Sequence, residues 1–406
     1  MLAFVLIFVL LLLPLPAVAA PTTPNSLARQ QPMLPQQSPQ QALERLFVES
    51  QAQSGWFAES FLRQVPLAGI QPLLDDLKQS LGELQEIRPG PDGFELQFEQ
   101  GRVRSQISLN AQGQITALYF APPEIPVALE DAIAAVRSFP GEASLLVLQA
   151  ERELANVNAE QPLAVGSAFK LAVLAALQGE IEQGRHRWDE VVTLQPGWKS
   201  LPSGLLQDWP DGTALTVETL ATLMISLSDN TATDALIHTV GRQPIEVLSP
   251  RNHPFLTTRD FFALKNPQNA LLLSRFRAGN EADQRALLEE LATAPLPDAS
   301  VFAGNPVALD VEWFFSAQEL CALMAQVAEL PLMQVNPGVA NPQDWDAISF
   351  KGGSEPGVLN LTSWVRSHSG TSYCVSATWN SSTQSLDETA LSRLYSGILA
   401  RLQSTP

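Results

Sequence analysis

The sequence predicts a chain of mixed α/β (α+β) class in two domains. A small domain of helices and an antiparallel meander precedes a larger one, in which an antiparallel sheet is flanked by helices and interrupted by an all-α subdomain. Three observations carry this expectation. Leu171, Leu174, Ala175 and Leu177 stand at helical spacing with no charge before Glu180, the pattern of a helix buried on every side. Strand-like runs lie near both ends of the larger part, Ser144 to Gln149 early and Ile348 to Trp379 late, around a helical middle. Between the two parts, Pro122, Pro123 and Pro126 stop both helix and ladder.

At 406 residues the chain has length enough for two domains and a large core. Its hydrophobic fraction of 45% is ordinary for a globular protein and argues against many membrane spans. The formal net charge of −18 repels nucleic acid and anionic lipid, which argues against both as partners. Met1 to Ala20 is apolar and ends Pro16-Ala17-Val18-Ala19-Ala20, so residues 1–19 read as a secretory signal peptide and the protein as periplasmic or extracellular. An uncleaved N-terminal anchor is the competing reading, weakened by Pro14 and Pro16 and by a bare spanning length. The n-region lacks the usual Lys or Arg. Cys321 lies in a helical pattern and Cys374 in a strand pattern; the pair reads as two buried free thiols, although an oxidising compartment would permit a bond.

Residues 20–40, rich in Pro and Gln, cannot bury enough apolar surface to fold and read as a disordered leader. Residues 41–122 form the small domain. Helices are expected over 41–53 and 57–84, followed by strands at 93–98, 103–109 and 115–120, with a turn at Asn110-Ala111-Gln112-Gly113. Residues 126–406 form the large domain, opening with a helix at 128–137, a strand at 144–149 and its hairpin partner at 151–158. The Ser167 helix follows, then a loop over 193–204, a helix from Val217 to Leu227 and another from Thr231 to His238. A helix over 311–330, strands at 348–353, 360–366 and 373–379, and an amphipathic helix over 386–402 complete the chain.

Ser167 and Lys170 lie three residues apart at the mouth of the apolar helix and so share a face. An ammonium there is poorly hydrated, which lowers its pKa and lets it act as a base toward the hydroxyl. Alone, Ser-x-x-Lys is a weak pattern. Two further elements follow in order: Ser228-Asp229-Asn230 between two helices, and Lys351-Gly352-Gly353 on a strand before a turn. The set Ser-x-x-Lys, Ser-Asp-Asn and Lys-Thr-Gly is the signature of class A β-lactamases and penicillin-binding proteins, and residues 126–406 resemble that superfamily.

The resemblance implies a β-lactamase-like fold, with Ser167 as acylating nucleophile, Lys170 as its base, and Ser228 between Lys170 and Lys351 as proton carrier to the leaving group. Like-charge repulsion between the two lysines would lower both pKa values. Asn230 would orient substrate and Lys170, while the backbone N–H groups of Ser167 and Ser354, just past Gly353, would bind the oxyanion. No cofactor or metal is called for. His186, His238, His253 and His368 are too scattered for a metal site, have no Gly-x-Ser-x-Gly partner, and read as structural or surface residues.

Two departures qualify the pattern. The segment Phe255 to Lys265 stands where class A enzymes carry a Glu-x-x-Leu-Asn loop whose Glu activates the deacylating water, and it has no such Glu. Gly352 replaces the hydroxyl residue that would bind a substrate carboxylate, and Arg366 lies too far along its hairpin to stand in. A narrower resemblance accommodates both. Leu256 to Phe262, Val311 to Phe314, Phe350 to Val358 and the small-domain run Phe61 to Pro66 are similar to the β-lactamase-like serine hydrolases typified by a clavulanic-acid-cluster protein, which carry an N-terminal steroid-isomerase-like (NTF2) or cystatin-like domain. Glu355 reads either as a polar group at the pocket rim or as a turn residue before Pro356. The resulting expectation is an esterase- or amidase-like serine hydrolase acting on a small ester, amide or β-lactam-like substrate, with weak or no β-lactam turnover. A penicillin-binding D,D-peptidase or slow β-lactamase acting on cell-wall peptide is one alternative, and a non-turnover cell-wall or β-lactam sensor another.

Overall fold

The computed structural model describes residues 37–90 and 92–403, so the signal-peptide segment and most of the expected leader lie outside the described residues. The chain divides into two compact units at Pro126/Val127. Among the described residues no helix is long and apolar enough to cross a membrane.

The first unit begins with α1 (Pro39–Val48), which is the helix expected over 41–53 started two residues earlier, at the end of the stretch expected to be leader. Ser38 caps it reciprocally with Gln41, and Pro39 at its first turn has no N–H to leave unsatisfied, so local capping outweighs the polar composition. The long helix expected over 57–84 is split into α2 (Glu59–Leu62) and α3 (Leu67–Leu81), since Pro66 breaks the ladder between them. Four strands follow as a consecutive antiparallel meander: β1 (Leu84–Gly90), β2 (Gly93–Phe98), β3 (Arg102–Leu109) and β4 (Ile115–Phe120). Strand β1 escapes the periodicity reading because it is an edge strand on which only Ile87 is buried. Leu43, Phe47, Phe61, Leu74, Leu96, Phe98 and Val103 pack the helices onto one face of this sheet.

The second unit opens with α4 (Leu129–Ser138), β5 (Glu142–Gln149), β6 (Arg152–Val157), the short β7 (Leu163–Ala164) and α5 (Lys170–Glu182). A small β8–β9 pair (Val191–Thr193, Ala214–Thr216) leads to α6 (Val217–Ser226), α7 (Asn230–Val240), α8 (Arg242–Leu248), α9 (Thr258–Lys265), α10 (Ala270–Ala278) and α11 (Glu281–Thr293). Then come β10 (Phe314–Phe315), α12 (Ala317–Val327), β11 (Ala347–Glu355), β12 (Val358–Arg366), β13 (Ser372–Asn380) and α13 (Glu388–Gln403). The helix expected over 311–330 starts only at Ala317, because Ser316 and Glu319 form a capping box and the preceding Phe314–Phe315 pairs with β7.

The main sheet has the order β11-β12-β13-β5-β6, antiparallel throughout, so the late strands extend the early hairpin. On one face, Leu145, Val147, Val375 and Val365 meet Ala132 and Val136 of α4 and Leu391, Tyr395 and Ile398 of α13. On the other, Leu146 and Cys374 meet Ala317 and Cys321 of α12. Helix α5 is packed among α6, α7, α8 and α12, and each of Leu171, Val173, Leu174 and Leu177 is fully enclosed. At roughly 1.5–3 kcal/mol per buried aliphatic side chain, that collar can hold a polar residue at its mouth where unaided it would not stay.

The two cysteines are not free thiols. Cys321 of α12 and Cys374 of β13 form a disulfide with Cα atoms 5.9 Å apart. Burial was read correctly for both, but the docking of α12 on the sheet that aligns them is a tertiary fact. Closing a loop of 53 residues restricts the unfolded chain by about 4 kcal/mol in the entropic account. A Cys321→Ser/Cys374→Ser variant should therefore lose roughly 2–4 kcal/mol in urea denaturation. The unreduced, denatured parent should give no thiol reaction with Ellman's reagent; two reactive thiols would refute the bond.

Candidate active site

The turn that carries Ser167 is fixed before the helix begins. Both the N–H and the C=O of Ala164 are hydrogen-bonded by the Asn380 side chain, at 2.8 and 2.9 Å, so the end of β13 holds β7 in place. The chain then makes a 3-10 turn, Gly166 to Phe169, before entering α5, so Ser167 sits one turn ahead of the α-helix proper. Gly166 has φ +49°, and a Cβ there would lie 3.1 Å from the Ser354 nitrogen. A Cβ on Gly353 would lie 2.4 Å from the Ser167 nitrogen. These two glycines let the end of β11 lie directly against the Ser167 turn, which brings the backbones of Ser167, Gly353 and Ser354 together.

Lys170, wholly buried, is surrounded by four oxygens. Its Nζ donates to the Ser228 carbonyl at 2.6 Å and to Asn230 Oδ1 at 2.7 Å. The Ser228 hydroxyl stands at 3.0 Å and that of Ser167 at 3.2 Å. The two carbonyl-type oxygens only accept, so they orient two N–H bonds and leave the rest of the nitrogen facing two hydroxyls. In a neutral amine that direction is a lone pair aimed at an O–H. Burial pushes the Lys170 pKa well below the lysine range, with the charge of Lys351 adding to it against the pull of Asp229 and Asp234. Lys351 Nζ donates to Ser228 Oγ at 3.1 Å and to the Gly352 carbonyl at 2.6 Å, and burial brings its pKa down to about 7. Loss of hydration, rather than the expected mutual repulsion, is the larger cause for both amines.

Ser228 occupies the break between α6 and α7 with φ 55°, a left-handed conformation that costs a non-glycine residue free energy and must be held by its surroundings. Asp229 holds it. Its carboxylate accepts from the N–H groups of Leu205 and Leu206 at 2.7 and 2.9 Å and caps α7 through Ala232 N at 2.8 Å. Ser203 donates to the Ser228 carbonyl at 2.8 Å, and Asn230 Nδ2 donates to the Leu201 carbonyl at 3.0 Å. Asp229 and Ser203 carried no role in the sequence reading, although an Asp directly before a helix is a capping signal.

These elements enclose a cavity of about 660 Å³ lined by Ser167, Ser228, Asn230, Lys351, Gly353 and Ser354 among others. The structure thus brings together every residue singled out from the three motifs, with Lys170 beneath. Arg366 is not among them: it pairs with Ala347 at the far end of β11 and with Glu329 at 2.8 Å. None of the four histidines lines the cavity; His186 meets Glu190, His238 stacks on Trp198, His253 meets the Glu246 carbonyl and His368 meets Asp346. Among the described residues no cluster of His, Cys, Asp or Glu could hold a metal ion.

The segment from Phe255 to Lys265 contains α9. Buried Asp234 caps it, accepting from Thr258 N and Arg259 N at 2.6 and 2.9 Å, and burial raises the Asp234 pKa to about 7. Its own acid, Asp260, is bound to Arg242 at 2.7 Å, so the residues it lends to the cavity are Thr258, Phe261 and Phe262. At its C-terminal end, buried Lys265 pairs with Glu312 and, at 2.6 Å, with Glu355. Glu355 does line the cavity, as a member of this three-part ion cluster rather than as a free turn residue.

The lowered Lys351 pKa fixes a stability prediction. Between pH 7 and about 10.4 the unfolded chain holds a proton on this residue that the folded chain lacks, so its contribution to stability rises with pH across that window. Below pH 7 the cost is constant and at its largest. A Lys351→Met variant should therefore gain most over the parent, up to a few kcal/mol, at pH 7 and below, with the gain vanishing toward pH 10.4. A pH-independent difference in denaturation midpoints would contradict the burial of an ammonium here.

Residues 128–255 match the model of the β-lactamase enzyme family. No curated protein matches the chain. Among solved structures, the chain is similar to a β-lactamase from Sphaerobacter thermophilus (20% identity over 68% of this chain and 94% of that one, TM-score 0.44). It is also similar to PBP-A (17%, 69% and 97%, TM-score 0.46) and to a β-lactamase from Desulfarculus baarsii (14%, 68% and 98%, TM-score 0.48). With the family match added to the sheet order and helix arrangement, the second unit has a β-lactamase-like fold.

Proposed function

We propose that this chain is an exported serine hydrolase that works through an acyl-enzyme on Ser167, is esterase- or amidase-like, and turns over β-lactams weakly or not at all. One observation carries the reading: the chain Ser167 Oγ, Lys170 Nζ, Ser228 Oγ, Lys351 Nζ, with successive separations of 3.2, 3.0 and 3.1 Å. Neutral Lys170 takes the hydroxyl proton as Ser167 Oγ bonds to the substrate carbonyl carbon. The carbonyl oxygen becomes an alkoxide facing the N–H groups of Ser167 and Ser354. As the intermediate collapses, the C–O or C–N bond breaks and Ser228 protonates the departing alcohol or amine, recovering a proton from Lys170. Water then releases the acid and restores Ser167.

A long-lived acyl-enzyme, as in a penicillin-binding protein or a β-lactam sensor, is the second reading. It is supported by the Phe255 to Lys265 segment, which directs no carboxylate into the cavity. The apolar segment 1–19 and the disulfide support export through an oxidising compartment. The helices and four-stranded meander of the first unit support placement with the hydrolases that carry a steroid-isomerase-like or cystatin-like domain.

The test uses purified protein, p-nitrophenyl esters and a fluorescent penicillin, with adduct mass followed over time. Ser167→Ala should abolish ester turnover and labelling, and Lys170→Ala should slow acylation by about a thousandfold or more while the fold persists. His238→Ala should leave both unchanged. Acylation should fall as the medium is acidified, because protonating Lys170 removes the base. Turnover that survives in Ser167→Ala would defeat the hydrolase reading, whereas labelling without turnover would favour the sensor.

A further inference from the structure

The cavity is aromatic where a carboxylate-binding site would need donors. Phe169, Phe261, Phe262, Phe302, Trp313 and Phe350 all line it. They are tied to one another: Trp313 stacks on Phe169 at 3.8 Å and on Phe261 at 4.5 Å, and Phe262 meets Phe302 edge-on at 5.1 Å. Phe169, Phe261 and Trp313 are buried in this stack and back the half-buried Phe262 and Phe302, which with Phe350 give the cavity its apolar surface.

Gly352, where the resemblance calls for a hydroxyl, is covered by its neighbour on the strand. A Cβ there would lie 2.9 Å from Phe350 Cζ and 3.0 Å from the Asn360 carbonyl oxygen. The other end of the same ring is pressed on Gly338, whose Cβ would fall 2.3 Å from Phe350 Cγ. The Phe350 ring therefore crowds the place of a residue-352 side chain and packs against two glycines. The missing hydroxyl has been replaced by an apolar surface.

Charge points the same way. Among the described residues lining the cavity the charged side chains are Lys351, Glu355 and Glu388. Lys351, the one cation among them, already donates to Ser228 Oγ and the Gly352 carbonyl. Lys265, at the end of α9, is enclosed and held by Glu312 and Glu355. Arg259 on α9 is turned away onto the carbonyls of Lys199, Ala292 and Ala294. An anionic substrate would leave water and meet two carboxylates without gaining a fresh cation, an uncompensated desolvation.

Building on the acyl-hydrolase reading, we propose that the substrate carries no carboxylate near the reacting carbonyl: it is an uncharged ester or amide whose acyl part is aromatic or otherwise apolar and packs on Phe262 and Phe302, which Phe261 and Trp313 back. Acylation transfers that group to Ser167 Oγ as the ester or amide bond breaks, and the alcohol or amine leaves with the proton from Ser228.

Binding tests this apart from turnover. On the Ser167→Ala variant, calorimetry compares N-phenylacetylglycinamide with N-phenylacetylglycine, two probes that differ by one negative charge. The amide should bind about tenfold or more tightly. Equal or tighter binding of the acid, or binding of neither, would overturn the inference. Phe262→Ala and Phe302→Ala should each weaken binding of the amide, with Phe262→Leu retaining part of it and thermal midpoints reporting that the variants fold. No change in either alanine variant would remove the aromatic seat. In a Phe350→Ala/Gly352→Thr double variant, the acid should gain on the amide, since the ring is gone and a hydroxyl stands in its place. A hydrolase that fails the p-nitrophenyl ester test and still prefers the amide here would refute the chemistry and leave this binding preference standing.

Discussion

The structure turns on a buried amine without a counter-ion. Among the described residues no carboxylate is in hydrogen-bonding contact with Lys170; two carbonyl-type oxygens and two hydroxyls surround it. A charge in that position would be costly, so the fold favours the neutral form by withholding water and an anion together. Asp229 and Asp234 are close enough to matter electrostatically, but their oxygens are committed to backbone N–H groups of neighbouring segments. This arrangement separates two jobs that a nearby Asp could have merged. The acids organise the backbone, and the amine is left free for proton chemistry.

Holding the amine there places strain on the surrounding backbone. Ser228 sits in the left-handed region, Gly166 has positive φ, and Gly353 lies at a distance from the Ser167 turn that admits no side chain. The Ser228 conformation would destabilise an isolated segment, and the two glycine positions exclude any other residue. They persist because the segments they join are fixed elsewhere: Asn380 clamps Ala164, Asp229 binds both the 205–206 backbone and the start of α7, and α5 is enclosed from Lys170 to Leu177. Three far-apart pieces of chain meet within hydrogen-bonding distance only because helices and strands with ordinary apolar cores position them.

The sequence exposed those parts of this arrangement that depend on local spacing. Ser167 and Lys170 are an i, i+3 pair, the Ser228 turn lies between two helical periods, and Lys351 alternates on a strand, so each was legible from a short window. The helix collar and the sheet strands were legible for the same reason. What depends on docking was not. The Cys321–Cys374 bond needs the angle of α12 on the sheet, and the Lys265–Glu312–Glu355 cluster gathers residues from three distant segments. The expected 57–84 helix failed at Pro66, which lay in plain view and was outweighed by the apolar count around it. Strand β1 went unseen because an edge strand with one buried side chain has little alternation to read.

Lys265 and Lys170, both buried, show how one residue type serves opposite ends in a single domain. Lys265 keeps company with two acids beneath the ring of Phe261, its Nζ 4.2 Å from the ring centroid. Burial raises the Glu312 pKa well above the carboxylate range, against the pull of Lys265 and with the charge of Glu355 adding to it, while Lys265 also pairs with Glu355. That pair ties the end of α9 to the end of β11, as Asp234 ties the start of α9 to α7. Helix α9 is thus fastened at both ends, and the aromatic side chains between the fastenings, Phe261 and Phe262, are held as a wall. A segment pinned in this way is poorly suited to swing a carboxylate toward an acyl group and well suited to present a fixed apolar face. The position of Lys265 therefore belongs to the shape of the pocket, and that of Lys170 to its reactivity.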